Sequence, residues 1–223
     1  MTLDLGVLIS GRGSNLEAIL DAVAKGSLDA RVRVVISNKA SAGGLEIARA
    51  AGVPTAVIPH GEHPDRRSFD AAVVAALRAA GVECVVLAGF MRIVTPVLLD
   101  AFPYRVVNIH PSLLPAFPGV DAQAQALAYG ARITGCTVHL VDAGTDTGPV
   151  LAQAAVPVLE GDDRDALAAR ILVREHELLV RALGWLAQGL VEVEPGAAGQ
   201  RPIVRVRGAA TALGIEGESG APR

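Results

Sequence analysis

Apolar residues along the chain fall into short runs, and the spacing inside each run separates strand from helix. Leu5–Ile9 is a compact apolar run that stops at Ser10-Gly11, as a buried strand does. From Asn15 to Lys25 the positions Leu16, Ile19, Leu20 and Val23 recur at helical spacing. Val32–Ile36 reads as a second strand, and Leu45–Ala51 as a second helix closed by Gly52. Thr55–Ile58 reads as a third strand. Arg66–Ala80 follows as a helix with Phe69, Val73, Val74 and Leu77 on one face and Gly81 at its end. Cys84–Leu87 is apolar throughout, which predicts a central strand. Pro96–Ala101 is a short helix opened by proline, and Val106–Ile109 is a fifth strand. This order predicts an α/β fold: an open, mostly parallel, twisted sheet with right-handed crossovers and helices on both faces.

The pattern changes after residue 109. Pro111, Pro115 and Pro118 keep 110–120 out of helix. Ala122–Tyr129 predicts a short helix. Cys136–Val141 and Val150–Val158 predict strands joined by a Gly-rich, acid-bearing loop at 142–148. Asp163–Gln188 predicts the longest helix, with Asp162 or Asp163 as N-cap. Val191–Glu194 and Ile203–Val206 are placed for a hairpin. The organisation expected is one domain over 1–207. Its first half runs to about 105. Its second half, about 106–195, carries antiparallel strands and the long helix. A frayed tail rich in Gly, Ala and Pro follows at 208–223.

Composition then excludes whole classes. A hydrophobic share of 51% against 19% charged residues rules out global disorder. No uncharged apolar stretch reaches the roughly 18 residues of a membrane span. A net charge of −3 and 3% aromatics leave neither the basic footprint nor the stacking surface of a nucleic-acid binder. Cys84 and Cys136 stand at the expected strand starts and read as inert buried thiols, which fits a reducing cytoplasm. An early acid and no basic n-region argue that the N-terminus is not a signal peptide.

Four features carry chemistry. Ser10-Gly11-Arg12-Gly13-Ser14-Asn15-Leu16 joins a strand to a helix, where backbone N–H groups form an anion site. Leu16 stands where a dinucleotide fingerprint has its third glycine, and Asn38-Lys39 where it has an acid, so NAD is disfavoured. A single phosphate and a plain turn both remain open. Asn108 and His110 lie two apart at a strand end, where α/β sheets place ligands. Together they read as two donors to an oxyanion or as a His that caps the strand. In the 142–148 loop, Asp142 and Asp146 are solvated turn acids or partners for His110. No Ser, Cys or Lys has an obvious base beside it, so the chemistry implied is direct attack by a substrate group. Glu175 falls on the apolar stripe of Leu167, Ile171, Leu178, Ala182 and Trp185, so it needs a buried partner or a ligand. His60, His63, His139 and His176 are not spaced as a metal set, and no metal is expected.

Ser10–Leu16, Ser37-Asn38-Lys39, Leu87–Ile93, Asn108–Pro115 and Asp146-Thr147-Gly148-Pro149 together resemble the phosphoribosylglycinamide formyltransferase family, folate-dependent enzymes of purine synthesis. The resemblance runs over about 3–195 and is most specific at Asn-Ile-His-Pro-Ser-Leu-Leu-Pro. It implies a Rossmann-like formyltransferase fold. It also implies formyl transfer from 10-formyltetrahydrofolate, a cosubstrate, to the amine of glycinamide ribonucleotide. Carried over by position, Asn108, His110 and Asp146 are the catalytic set. Gly13, Ser14 and Asn15 hold the substrate phosphate, and Leu172, Val173, Arg174 and Glu175 its ribose and glycinamide end. Arg66, Met91, Arg92, Ile93, Val94 and Asn108, with Asp142, Ala143, Gly144, Thr145 and Asp146, line the folate site. The implied partners are these two small molecules, with no nucleic acid and no membrane, in a cytoplasmic monomer or homodimer. One stretch departs: after Phe117-Pro118-Gly119 the family often has histidines and an arginine, where this chain reads Val120-Asp121-Ala122-Gln123-Ala124-Gln125. Methionyl-tRNA formyltransferases share the Asn-x-His-Pro core, but they need a tRNA-binding domain for which this length leaves no room. A non-catalytic nucleotide-binding module is the reading from another class, and the intact Asn108, His110 and Asp146 argue against it.

Overall fold

A computed structural model describes residues 2–196 and 201–208. The strands are β1 (Leu3–Ile9), β2 (Ala30–Ser37), β3 (Thr55–Val57), β4 (Cys84–Leu87), β5 (Val106–His110), β6 (Ile133–Leu140) and β7 (Val150–Pro157). Among the described residues they form a seven-stranded sheet in the order β3-β2-β1-β4-β5-β6-β7. Pairing is parallel from β3 to β5, and antiparallel at β5–β6 and β6–β7. The helices are α1 (Ser14–Ala24), α2 (Gly44–Ala50), α3 (Arg66–Ala79), α4 (Pro96–Ala101), α5 (Ala122–Tyr129) and α6 (Arg164–Ala187). A separate hairpin pairs β8 (Val191–Glu194) with β9 (Ile203–Val206).

Each strand alternates between two apolar layers, as the pleat requires. Leu5, Val7 and Ile9 of β1 pack with Leu16 and Ile19 of α1, Leu45 of α2 and Ile171 and Leu178 of α6. Leu8 of the same strand packs on the other face with Phe69 and Val73 of α3 and Leu98 of α4. Burial on both faces explains why these strands are continuous apolar runs. Among the described residues no helix is long and apolar enough to cross a membrane.

The α/β architecture and element order agree with the sequence reading, with two local differences. A short 3-10 turn at His60–Glu62 was not expected. β6 begins at Ile133, so Cys136 sits inside the strand rather than at its start. The tail expected at 208–223 lies, beyond Gly208, outside the described residues. Both thiols are buried, and burial pushes each pKa up to about 12. That leaves them protonated and unreactive.

Candidate active site

Chain order reverses between β1 and β4, and a cavity of about 470 Å³ opens beyond their C-terminal ends. This is where open α/β sheets bind ligands. The loop after β1 is tied on two sides. Ser10 Oγ donates to Asn38 Oδ1 at 2.6 Å and accepts from the Met91 N–H at 2.9 Å. Gly13 is the N-cap of α1, with φ +90°, and no side chain caps the helix. A Cβ on Gly13 would lie 2.5 Å from the Cα of Gly44, so both the turn and the approach to α2 require glycine. The first N–H groups of α1 are left for a ligand, and Gly13, Ser14 and Asn15 line the cavity.

The opposite wall comes from α6. Leu172 and Glu175 line the cavity, whereas Val173 is exposed and Arg174 pairs with Glu177 at 2.8 Å. Asn15 Nδ2 donates to Glu175 Oε2 at 3.0 Å. Asn15 Oδ1, also buried, has no partner among the described residues. Burial raises the pKa of Glu175, opposed by the Asn15 bond and the charge of His110. Two buried acceptors thus face a space that suits a ligand with hydroxyl or amine donors.

A narrower cleft of about 110 Å³ lies on the other side of the β4 end. Ala88 and Gly89 line the first cavity, and Leu87 and Phe90 the second, so one stretch of chain divides them. The cleft takes Arg92, Ile93, Val94, Asn108, Asp142, Gly144, Thr145 and Asp146 into its wall, but not Arg66, Met91 or Ala143. Met91 and Ile93 are exposed, at 63% and 53%. Arg66 begins α3 behind the Asp65–Ser68 capping box. Asp142 shapes the loop, accepting from the Gly144 N–H at 3.0 Å and from Thr147 Oγ1 at 2.6 Å.

Asn108 and His110 stand at the end of β5, and Asn108 is in the wall of the narrower cleft. His110 is buried and both ring nitrogens face acceptors. Nε2 lies 2.9 Å from the Phe117 carbonyl, and Nδ1 lies 3.4 Å from Asp146 Oδ2. Only the doubly protonated ring donates to both. Asp146, at φ +53°, also accepts from the Gly119 N–H at 2.8 Å, so the carboxylate beside His110 ties two loops together.

Two residues in this centre were not singled out from the sequence. His139 is the cross-strand partner of Asn108 in the β5–β6 register. Its Nδ1 faces the Leu140 carbonyl at 3.2 Å, which makes Nε2 the acceptor for Asn108 Nδ2 at 3.1 Å. Burial lowers the pKa of His139, which favours that neutral ring. Asp70, buried in α3, accepts from the Thr95 N–H at 2.6 Å and anchors the end of the 90–95 wall. Burial raises its pKa. The only signal for either was an acid or a His on an otherwise apolar face. Among the described residues no group of three or more His, Cys, Asp or Glu is placed to hold a metal ion.

The fold and this constellation define a group transferase, and comparison with known proteins supplies the class. Residues 4–183 match the family model described as Formyl transferase, and the chain belongs to that family. Within it, a phosphoribosylglycinamide formyltransferase of Mycobacterium tuberculosis is 52% identical over 183 residues, covering 82% of this chain and 84% of that protein. The Escherichia coli protein of the same name is 42% identical, covering 89% and 95%. The trifunctional purine biosynthetic protein adenosine-3 of Drosophila pseudoobscura is 49% identical over 83% of this chain, which spans only 14% of that protein. The crystal structure of glycinamide ribonucleotide transformylase 1 from Symbiobacterium toebii superposes with a TM-score of 0.88 at 50% identity, covering 92% and 94%. The branch of the family is therefore that of the phosphoribosylglycinamide formyltransferases.

Proposed function

We propose that this chain transfers the formyl group of 10-formyltetrahydrofolate to the amine of N1-(5-phospho-D-ribosyl)glycinamide, as a step of purine biosynthesis in the cytoplasm. The observation that carries the reading is the pair of spaces on either side of the 87–90 stretch at the end of β4, with Asn108 in the wall of the narrower one. One offers an anion-binding helix N-terminus and two buried acceptors. The other is a cleft walled by Ile93, Val94 and the 142–146 loop. A phosphorylated ribosyl amine suits the first, and the folate suits the second.

The geometry supports the following roles. The substrate amine attacks the formyl carbon directly. The carbonyl oxygen becomes an oxyanion that accepts from the Asn108 N–H not directed at His139, and from His110 Nδ1–H, which is held only loosely at 3.4 Å from Asp146. Collapse breaks the carbon–N10 bond. The proton lost by the amine reaches N10 through His110 and an ordered water, giving the formylated amine and tetrahydrofolate. Asp146 orients the imidazole, and His139 fixes the Asn108 amide so that it presents N–H rather than oxygen. The assay is the purified chain with a 10-formyl folate analogue and glycinamide ribonucleotide, followed by absorbance of the deformylated product. Turnover is expected. Turnover only with another amine acceptor would overturn the assignment.

A further inference from the structure

The charge of the larger cavity is not matched by its backbone donors alone. A phosphate monoester carries about −1.5 to −2 at neutral pH. A helix N-terminus offers the equivalent of about half a positive charge. The same cavity also holds the carboxylates of Glu175 and Asp165. Its walls carry two cationic side chains, Arg12 and Arg164. Arg12 lies between Gly11 and Gly13 and is exposed, with no hydrogen bond or ion pair among the described residues. Arg164 is on the facing wall, as the first residue of α6.

Arg164 is an unusual choice there, because a cation opposes the dipole at a helix start. It is nonetheless held firmly. Asp163 caps the helix through the Ala166 N–H at 2.8 Å, Nε donates to Asp121 Oδ1 at 2.8 Å, and Nη1 donates to Asp165 Oδ1 at 3.1 Å. Nη2 has no partner among the described residues. Asp121 is equally unusual. It adopts φ +56°, ψ +49° at the N-cap of α5 and caps nothing there, since its carboxylate turns to Arg164. A non-glycine residue in the left-handed region persists where its surroundings fix it, often at a ligand site. The buried, unpartnered Asn15 Oδ1 in the same cavity separately points to a ligand.

We propose that Arg12 and Arg164 close on the substrate's phosphate from opposite walls of the cavity, over the N–H groups of α1, with Asp121 as the positioning residue for Arg164. This rests on the proposed substrate and adds the residues that select its phosphorylated form. The test compares wild type, Arg12→Ala, Arg164→Ala, the double variant and Asp121→Asn. Kinetics and calorimetric binding are measured with glycinamide ribonucleotide and with the riboside that lacks the phosphate. Each arginine variant should weaken ribonucleotide binding by about tenfold, with the loss on KM rather than kcat, and the double variant by about a hundredfold. Riboside binding, weaker throughout, should be the same in all five proteins. Asp121→Asn should weaken ribonucleotide binding several-fold. Added salt should weaken ribonucleotide binding to wild type more steeply than to the double variant. Wild-type turnover with unchanged ribonucleotide affinity in both arginine variants overturns the clamp alone. Phosphate-dependent binding through both arginines without formyl transfer would keep the clamp and sink the reaction.

Discussion

Where β1 runs into α1, the candidate site is built of backbone: a left-handed Gly13, uncapped N–H groups and a close approach to Gly44, all but the last within a few consecutive residues. Where β5 pairs with β6, the candidate site is built of side chains gathered from separate elements. Asn108 and His110 come from one strand, His139 from its antiparallel neighbour, and Asp146 from the loop beyond. The two constructions should fail differently. A backbone site fails when the path of the chain is changed. A side-chain site fails when one donor or charge is removed, with the path intact.

The largest effect is expected on the side-chain side. His110→Ala or Asn108→Ala should lower kcat by about 10²–10³, with little change in thermal midpoint. Asp146→Asn keeps an oxygen for the Gly119 N–H but removes the charge, and should lower kcat by at least about tenfold. Near-wild-type turnover in both His110→Ala and Asp146→Asn would refute the mechanism. On the backbone side, Gly13→Ala meets both a forbidden φ and the Gly44 Cα. It should cost about 1–3 kcal/mol of stability and raise KM for the ribonucleotide more than it lowers kcat. An unshifted midpoint would show that the loop adapts, and the contrast between the halves would weaken.

His139→Ala tests whether a residue that need not touch substrate matters to the side-chain centre. Losing one orienting hydrogen bond should lower kcat about three- to tenfold. The smallest effect concerns Glu175. Burial raises its pKa above the unfolded value near 4.5, so the folded chain keeps a proton that the unfolded chain has released. The stability this contributes is fully present below about 4.5 and is lost as pH rises through the folded pKa. Glu175→Gln does not ionise, so its thermal midpoint should gain on wild type between about pH 4 and pH 7. A difference that shrank as pH rose would reverse the sign.

This contrast also explains what could be read from the sequence. The turn from β1 into α1 was legible because its parts are adjacent: a strand end, two glycines and a helix start. The layers were legible because burial on both faces leaves apolar runs. His139 was not, because its role depends on the register that sets it opposite Asn108, and register is a long-range property. Asp70 was hidden in the same way, since its partner Thr95 lies across the α3–α4 packing. The start of β6 was placed late. Gly135 looks like a break, yet it lies within the strand because a Cβ there would fall 1.9 Å from the Ala154 carbonyl oxygen. Within the folate-side prediction, Arg66, Met91 and Ala143 were assigned by position alone, and the cleft wall passes them by.

Arg201, just before β9, donates from Nη1 to the Thr147 carbonyl at 3.0 Å, next to Asp146. The last-made hairpin therefore braces the loop that holds Asp146. During synthesis the chain folds from its N-terminus. The loop after β1 has its ties to Asn38, Gly44 and Met91 once residues up to Met91 have emerged, and gains Glu175 only with α6. The loop carrying Asp146 has to wait for Arg201. Ribosome-held chains of increasing length should show amide protection in that order, and simultaneous protection of both loops would disprove it. A nascent chain would thus shape its anion-binding turn well before it holds the α6 wall or the loop that carries Asp146.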